Sequence, residues 1–392
     1  MSIIHKQLRA LALSTLFGGL AVTGASAQAV EEALDRLKAL SADQGVTLDW
    51  ASADISGDDA VLSGVTVTVD GKSTPISDIT LSGISEVDSG YRIERLEADD
   101  YSMSNDGGSV AVEGVEMTGL LLPSEEDRDA YGGFLFYETI AVASMSVAAQ
   151  GNEIFSLTDL QAEVTAGEAG EPMSFTGGAD GFTVNLSFLE PQQRAIMQAL
   201  GYEELQGYLE MEGSWQPTDG RIELSQYDVT VDGAGTFGLS FDLAGYTPDF
   251  IASLRELQQQ ALANPDGDKS AQGMAMLGLA QQLSFNRAEI AFDDDSLTGK
   301  VLDFVAAQQN MSASDVANQA KAILPFVLAQ LGDPDLTAKI TQAVSTFLDD
   351  PQSLRITAAP PAPVPFALIA AGAMSAPKEL TKTLGVTVTA ND

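Results

Sequence analysis

Thr236-Phe237-Gly238-Leu239-Ser240-Phe241-Asp242-Leu243 places Phe237, Leu239, Phe241 and Leu243 at every second position, with Thr236, Gly238, Ser240 and Asp242 between them. Alternation of this kind marks a strand with one dry face and one wet face. The same texture extends back towards the N-terminus. Short alternating runs occur at Ala60–Val69, Ile76–Leu81, Tyr91–Ala98, Ser109–Leu122, Ile140–Ala148, Ile154–Val164, Ser174–Leu186, Tyr208–Trp215 and Arg221–Val231, separated by Gly, Asp, Asn and Ser. Turn residues at this frequency predict serial antiparallel hairpins. In the first run, Val61, Val65, Val67 and Val69 are expected on one face and Leu62, Thr66, Thr68 and Asp70 on the other. Two helical stretches interrupt the pattern. Val30, Ala33, Leu34, Leu37 and Leu40 have the spacing of one helix face, and Glu190–Leu200 reads as an insert with Pro191 in its first turn.

Beyond Leu243 the texture turns helical. Pro248–Ala263 and the Met-rich Ala271–Leu283, with Met274 and Met276, are helix candidates flanking a polar loop at Asn264–Ser270. Ser284–Phe292 returns to a strand. Asp295 is expected to cap a helix at Leu297–Gln309. Ser312, with Asp315 three residues on, starts another that runs to about Leu331 and is kinked at Pro325. Asp333-Pro334 opens a helix through Leu348. A strand at Ser353–Thr357, a Pro-rich connector at Ala359–Pro365, an apolar stretch at Val364–Ala373 and a strand at Gly385–Ala390 follow. The expected fold class is α+β: a long, twisted, mainly antiparallel sheet of serial hairpins with C-terminal helices packed on one face. The expected parts are a signal peptide at 1–27, a β-rich body at 28–247 and a helix-rich part at 248–392 that packs on the sheet.

Val67-Thr68-Val69-Asp70-Gly71 recurs as Val229-Thr230-Val231-Asp232-Gly233, with Leu81 and Gly83 matched by Leu243 and Gly245, and with Trp50 and Trp215 upstream. Two explanations stand side by side: duplication of a hairpin unit, or hairpin chemistry arrived at twice.

At the N-terminus, Lys6 and Arg9 precede an apolar run from Ala10 to Val22, and Ala25-Ser26-Ala27 has the small-residue pattern of a signal-peptidase site. The run is shorter than the roughly 20 residues a membrane-spanning helix needs. Cleavage before Gln28 is expected, giving a periplasmic, secreted protein with no membrane span. Removing Lys6 and Arg9 from the 19 basic residues leaves 17 against 56 acidic ones. So acidic a surface repels nucleic acid and anionic lipid headgroups. The chain has no Cys, and its one His, His5, belongs to the leader. Ser-His-Asp and Cys-His nucleophiles, thiol redox chemistry and ordinary zinc sites are therefore excluded from the exported part, and the core must hold the fold without disulfides.

Several motifs have the composition of a site. Gly233-Ala234-Gly235-Thr236-Phe237-Gly238 fits G-x-G-x-x-G, but the alternating strand after it removes the helix N-terminus that a pyrophosphate needs, so a hairpin turn is the better reading. Asp293-Asp294-Asp295 with Glu289 offers oxygen ligands without EF-hand spacing, and a turn plus a cap accounts for it. Glu203 with Glu204, and Glu125, Glu126 and Asp127, are paired carboxylates of the kind glycosidases use, without an aromatic sugar-binding setting. An outer-membrane barrel is disfavoured by the missing aromatic girdle and the helical C-terminal third. Met274 and Met276 are read first as core, with a ligand-facing or partner-facing surface as the alternative. No catalytic residue, metal ligand or cofactor is assigned, and ligand-binding residues are left unidentified.

Leu283–Ile290, Phe347–Ile356 and Leu384–Asn391 give the chain a resemblance to an uncharacterised family of exported alphaproteobacterial proteins. Gly45-Val46-Thr47-Leu48-Asp49-Trp50 leading into serial hairpins resembles the periplasmic body of AsmA-like proteins. That resemblance implies a curved sheet with an apolar inside and a part in lipid handling, although the usual N-terminal membrane helix is replaced here by a cleavable leader. The expected function is a periplasmic non-enzymatic protein that binds an apolar ligand, a lipid in the first instance, between sheet and helices. An envelope scaffold or protein-interaction module without a small ligand is the alternative, and a carboxylate hydrolase comes third.

Overall fold

Alternation becomes strand almost wherever the sequence shows it in the computed structural model, which describes residues 25–105, 107–125, 127, 135–166, 172–264 and 269–392. The fold is mainly antiparallel sheet in serial hairpins, with C-terminal helices. The expected leader at 1–27 lies, up to residue 24, outside the described residues, as does Glu126. The chain divides into two compact units, Met1–Ala166 and Gly167–Asp392. The change from strands to helices near Pro248 falls inside the second.

The first unit opens with α1 (Ala25–Asp43). The strands that follow are β1 (Thr47–Asp49), β2 (Ser52–Ser56), β3 (Asp59–Ser63), β4 (Thr66–Val69), β5 (Lys72–Pro75), β6 (Ile79–Val87), β7 (Gly90–Ala98), β8 (Tyr101–Asn105), β9 (Gly108–Pro123), β10 (Thr139–Ala149) and β11 (Asn152–Thr165). The order β2-β3-β6-β7-β9-β10-β11 is antiparallel at every step, with β8 added on β9, and β1-β4-β5 form a separate three-stranded sheet. The helix forms because its apolar stripe has somewhere to go. Val30, Ala33, Leu34, Leu37 and Leu40 are all buried against Leu48, Trp50, Leu62, Val65, Leu81, Ile93, Leu120 and Leu122. Burial of each large aliphatic side chain is worth about 1.5–3 kcal/mol, far above the few tenths that separate helix propensities. Arg36, on the same helix, donates to the carbonyls of Pro123 and, at 2.7 Å, Ser124, and so ties α1 to the end of β9.

The run Ala60–Val69 needs correction. It is two strands in two different sheets, because Gly64 takes a φ of 64° and breaks the period. Leu62 before the break and Val65 and Val67 after it are all fully buried, while Val61 is exposed. The expected faces are thus wrong on the N-terminal side of Gly64. Nor do the two Val-Thr-Val-Asp-Gly copies match in structure. In the first, Asp70 and Gly71, both at positive φ, make a two-residue turn with Val69 opposite Lys72. In the second, Asp232-Gly233-Ala234 form a three-residue loop with Val231 opposite Gly235. The two copies therefore share a turn dipeptide but not a turn length.

The second unit comprises β12 (Met173–Asn185), α2 (Pro191–Ala199), β13 (Glu204–Gln216), β14 (Arg221–Val231), β15 (Gly235–Ala244), α3 (Pro248–Ala263), α4 (Lys269–Ala280), β16 (Ser284–Asp294), α5 (Leu297–Gln309), α6 (Ala313–Leu328), α7 (Pro334–Asp349), β17 (Ser353–Ala358), β18 (Val364–Pro365), α8 (Phe366–Ser375), α9 (Pro377–Thr383) and β19 (Val386–Ala390). The sheet order is β12-β13-β14-β15-β16-β17-β19, antiparallel throughout. The helix starts follow their capping chemistry. Ser312 and Asp315 form a reciprocal capping box, and Asp333 accepts the amides of Asp335 and Leu336. The start of α5 differs from expectation. Asp294, not Asp295, accepts the Thr298 amide at 2.8 Å, because β16 runs on to Asp294 and brings that carboxylate beneath the helix. Pro325 lies inside α6, which passes into a 3-10 turn at Ala329–Leu331 and stops at Gly332, φ 70°.

Candidate functional site

The quoted strand, β15, sits in the middle of the second unit's sheet, and its dry face continues sideways. Residues directly opposite in an antiparallel pair share a face. Leu354, Phe292, Phe237, Val229, Leu209 and Ala179 are opposite one another in turn from β17 to β12. A second row joins Val388, Ile356, Ile290 and Leu239. A third joins Phe285, Leu243, Ile222, Trp215 and Met173. The other face carries the charge: Arg355 with Asp293 at 3.1 Å, Arg221 with Asp242 at 2.9 Å, and Thr357 donating to Glu289 at 2.8 Å. Asp242 holds the Arg221 guanidinium protonated above its usual range, chiefly by their hydrogen bond.

Four successive strand pairs shift register, near Ala179, Glu212, Leu224 and Asp242. Each shift bends its strand and raises the local twist, so this sheet curls. At the last one, Asn286 is the extra residue on β16. Phe285 is thereby returned to the apolar face, and the Asn286 amide donates to Asp242 at 2.8 Å on the polar side.

Helices frame the apolar face without closing it. At one end Phe347 of α7 meets Phe292 edge-on at 6.3 Å; at the other Phe366 of α8 meets Phe285 at 6.5 Å. Phe250 and Ile251 of α3 pack on Trp215, whose indole N–H donates to the Tyr246 carbonyl at 2.8 Å. Between these covers Phe237, Ile290 and Ile356 are 47%, 44% and 45% exposed. Large aliphatic and aromatic side chains left half in water on an otherwise apolar face mark a surface suited to an apolar ligand. Two further concavities belong to this unit. An apolar cleft of about 670 Å³ runs between α6 and α7, lined by Pro325, Ala338 and Thr341 among others. A polar one of about 770 Å³ lies beside α2, lined by Asn185, Ser187, Arg194, Gln198, Glu203 and Glu204.

The Gly233–Gly238 loop presents carbonyl oxygens where a phosphate needs amides. Gly233 O accepts from Tyr202 Oη (2.7 Å), Ser296 Oγ (2.6 Å) and Lys300 Nζ (2.6 Å), and Ala234 O accepts the amides of Asp295, Ser296 and Leu297. This latch fastens the β14–β15 turn to the start of α5. Asp293, Asp294 and Glu289 are dispersed, to Arg355, to the Thr298 amide, and to Arg287 and Thr357. Among the described residues no group of acidic or His side chains is arranged to hold a metal ion. Glu203 and Glu204 stand exposed on the rim of the polar concavity. Glu125 pairs with Arg36, and Asp127 accepts from Ser124 at 2.9 Å.

The core reading of the Met-rich helix is overturned. Met274 is 67% exposed and Met276 and Leu277 about half, while Leu279 is the buried residue of α4. The helix is apolar nearly all round and packs against α3 and α8, so period does not tell its inner face from its outer one. Arg194 and the Lys300 latch carry no signal in the sequence, since both are isolated basic residues without a motif.

A family model described as "Uncharacterized protein" matches residues 228–391, the stretch from the end of β14 through β19. No curated protein matches the chain. Among the described residues no helix is long and apolar enough to cross a membrane.

Proposed function

We propose that this is an exported, non-enzymatic binding protein that carries an apolar ligand, a lipid by class, on the apolar face of the second unit's sheet. The observation that carries the reading is the half-exposed Phe237–Ile290–Ile356 surface, on a face that is apolar across its strands and covered by helices only at its ends. Such a face recognises alkyl chains by area and not by hydrogen bonds, and asks for no catalytic group. The leader-like segment at 1–27 supports a periplasmic location, and the AsmA-like texture of the hairpins supports lipid as the ligand class.

The test is organic extraction of the purified protein followed by mass spectrometry of the extract, with uptake of a fluorescent fatty acid as the titratable assay. Wild type is expected to yield stoichiometric lipid or to take up the probe. Ile290→Glu and Ile356→Glu should each weaken uptake by about tenfold or more while leaving the melting temperature nearly unchanged, because both side chains are already about half in water. Protein that is empty from several preparations and takes up no probe, or variants that bind as well as wild type, would refute the reading.

A further inference from the structure

Two strongly apolar helices of the second unit are among its least buried. Phe366–Ser375 (α8) reads FALIAAGAMS and has no buried residue, with Leu368 62% and Met374 89% exposed. Lys269–Ala280 (α4) reads KSAQGMAMLGLA and exposes Met274, Met276 and Leu277. The two helices touch each other. The side chain of Lys378, just beyond α8, lies against Gly332 at the end of α6, whose outer side carries Phe326 at 79% exposure and Val327 at 56%. A helix that is apolar all round is ordinarily buried in a core or in lipid.

The charge of the chain is arranged around these helices. Residues 269–288, 316–332 and 357–378 contain no Asp or Glu. At the chain average of 56 acidic residues in 392, these 59 positions would hold about eight. Their charges are all basic: Lys269, Arg287, Lys321 and Lys378, of which Lys321 is paired with Asp349 of α7 and Arg287 with Glu289 on the polar face of the sheet. An acidic coat interrupted only where Met, Leu and Phe stand in water is what a surface entering the boundary of a bilayer requires, since carboxylates there would be desolvated. The remaining acidic surface opposes anionic lipid, so the complementary surface is a neutral one. Methionine, flexible and polarizable, suits a fluid partner with no fixed shape.

We infer that α4, α8 and the outer side of α6 form a docking surface by which the protein lies on a zwitterionic lipid bilayer, inserting Met274, Leu368, Met374 and Phe326 to the depth of the headgroup boundary without crossing it. The inference stands whether or not the sheet face carries a ligand. Peripheral attachment of this kind is reversible and reads the bilayer through side-chain area, with salt having little effect on neutral lipid.

The test is flotation of the purified protein with phosphatidylcholine vesicles, alongside vesicles containing phosphatidylglycerol. Wild type should float with the neutral vesicles and less with the anionic ones. The triple variant Met274→Glu, Leu368→Glu, Met374→Glu should lose about a hundredfold in partitioning at an unchanged melting temperature. Should that variant prove misfolded, the triple serine variant at the same positions serves. Residues 1–27 are the same in all proteins, so binding through the leader would survive the substitutions and overturn the proposal. It is equally overturned if wild type stays with the soluble fraction. A concentration-dependent dimer that the variant abolishes would then assign the surface to a second copy of the chain.

Discussion

Removing the ammonium of Lys38 should destabilise the first unit far more than removing an ordinary surface charge. Asp49, at the end of β1, has a side chain 2% exposed, and Lys38 of α1, 17% exposed, puts its Nζ 3.4 Å from Oδ1 and 3.8 Å above the Trp50 ring. At 3.4 Å and an effective dielectric constant near 20 the gross attraction is about 5 kcal/mol. Lys38→Met keeps the apolar stem and deletes that attraction, leaving a carboxylate inside the core. Breaking a buried pair by removing one partner costs about 3–5 kcal/mol, and the lost cation–π contact adds about 0.5–1 kcal/mol. We therefore expect a loss of about 3.5–6 kcal/mol. Lys38→Met combined with Asp49→Leu removes both charges and fills the space, and should return to within about 1 kcal/mol of wild type, since a hydrophobic pair replaces a buried ion pair at little cost. The assay is urea unfolding followed by tryptophan fluorescence in a Trp215→Phe background, where Trp50 is the sole reporter and belongs to the affected unit. A single variant that costs less than about 1 kcal/mol, or a double variant as unstable as the single, would refute the argument that Asp49 depends on Lys38.

Two glycines of the first unit separate strain from crowding. Gly114→Ala, at φ 63° with an added methyl 2.7 Å from the Ala143 Cβ, should cost about 2–3 kcal/mol, whereas Gly71→Ala, at φ 72° in open space, should cost about 1 kcal/mol; equal values by urea unfolding would show that crowding plays no part. Acid should act through the caps of α6 and α7. The Leu336 amide first, with help from Thr381 and Lys382, holds the Asp333 carboxyl below its usual range, and Ser312 does the same for Asp315. A lowered folded pKa stabilises above the unfolded value of about 3.9 and is lost as pH falls through the folded one. Melting temperature against pH should therefore fall below about pH 4, and Asp333→Asn, which keeps an acceptor but no titration, should show a shallower fall; an unchanged slope would count against the cap.

What could be read from the sequence is what short-range chemistry decides. Period two located the long strands to within a few residues, because a sheet with one dry face repeats that period on every strand. The Ser312–Asp315 box and Asp333-Pro334 located two helix starts, because a cap is a local hydrogen bond. Strands of three to five residues, such as β1 and β8, are too short to show a period. In the sequence Gly64 is one more position in an alternation, and only its positive φ, which the sequence does not show, reverses the phase. The Met-rich helix failed for a different reason. Composition says that a segment avoids water, and says nothing of whether protein or something else keeps the water away.

The candidate site was the least legible part, and the cause is its construction. Ile290 faces Ile356 across β16 and β17, two strands between which the chain makes α5, α6 and α7. Phe237 faces Phe292 across β15 and β16, with α3 and α4 between them. Each of these strands, taken alone, is an unremarkable alternating segment. Its apolar row exists only once each helical excursion returns the chain to the sheet edge in the correct register, and a slip of one residue at any return would carry half the row to the charged face. The bulge at Asn286 shows the register under selection by chemistry. Without it Phe285 would join Arg287 and Glu289, and the face would end at Ala288 with α8 deprived of its aromatic contact. Deleting Asn286, by contrast, should straighten β16 with Phe285 still opposite Leu243, so that α8 stays seated and only the hydrogen bond to Asp242 is lost, while β17 remains paired with β16 beyond the bulge and β19 with β17. The bulge absorbs the extra residue and holds Phe285 in phase with Ala288, Ile290 and Phe292, which keeps the apolar face of β16 continuous as far as its contact with α8.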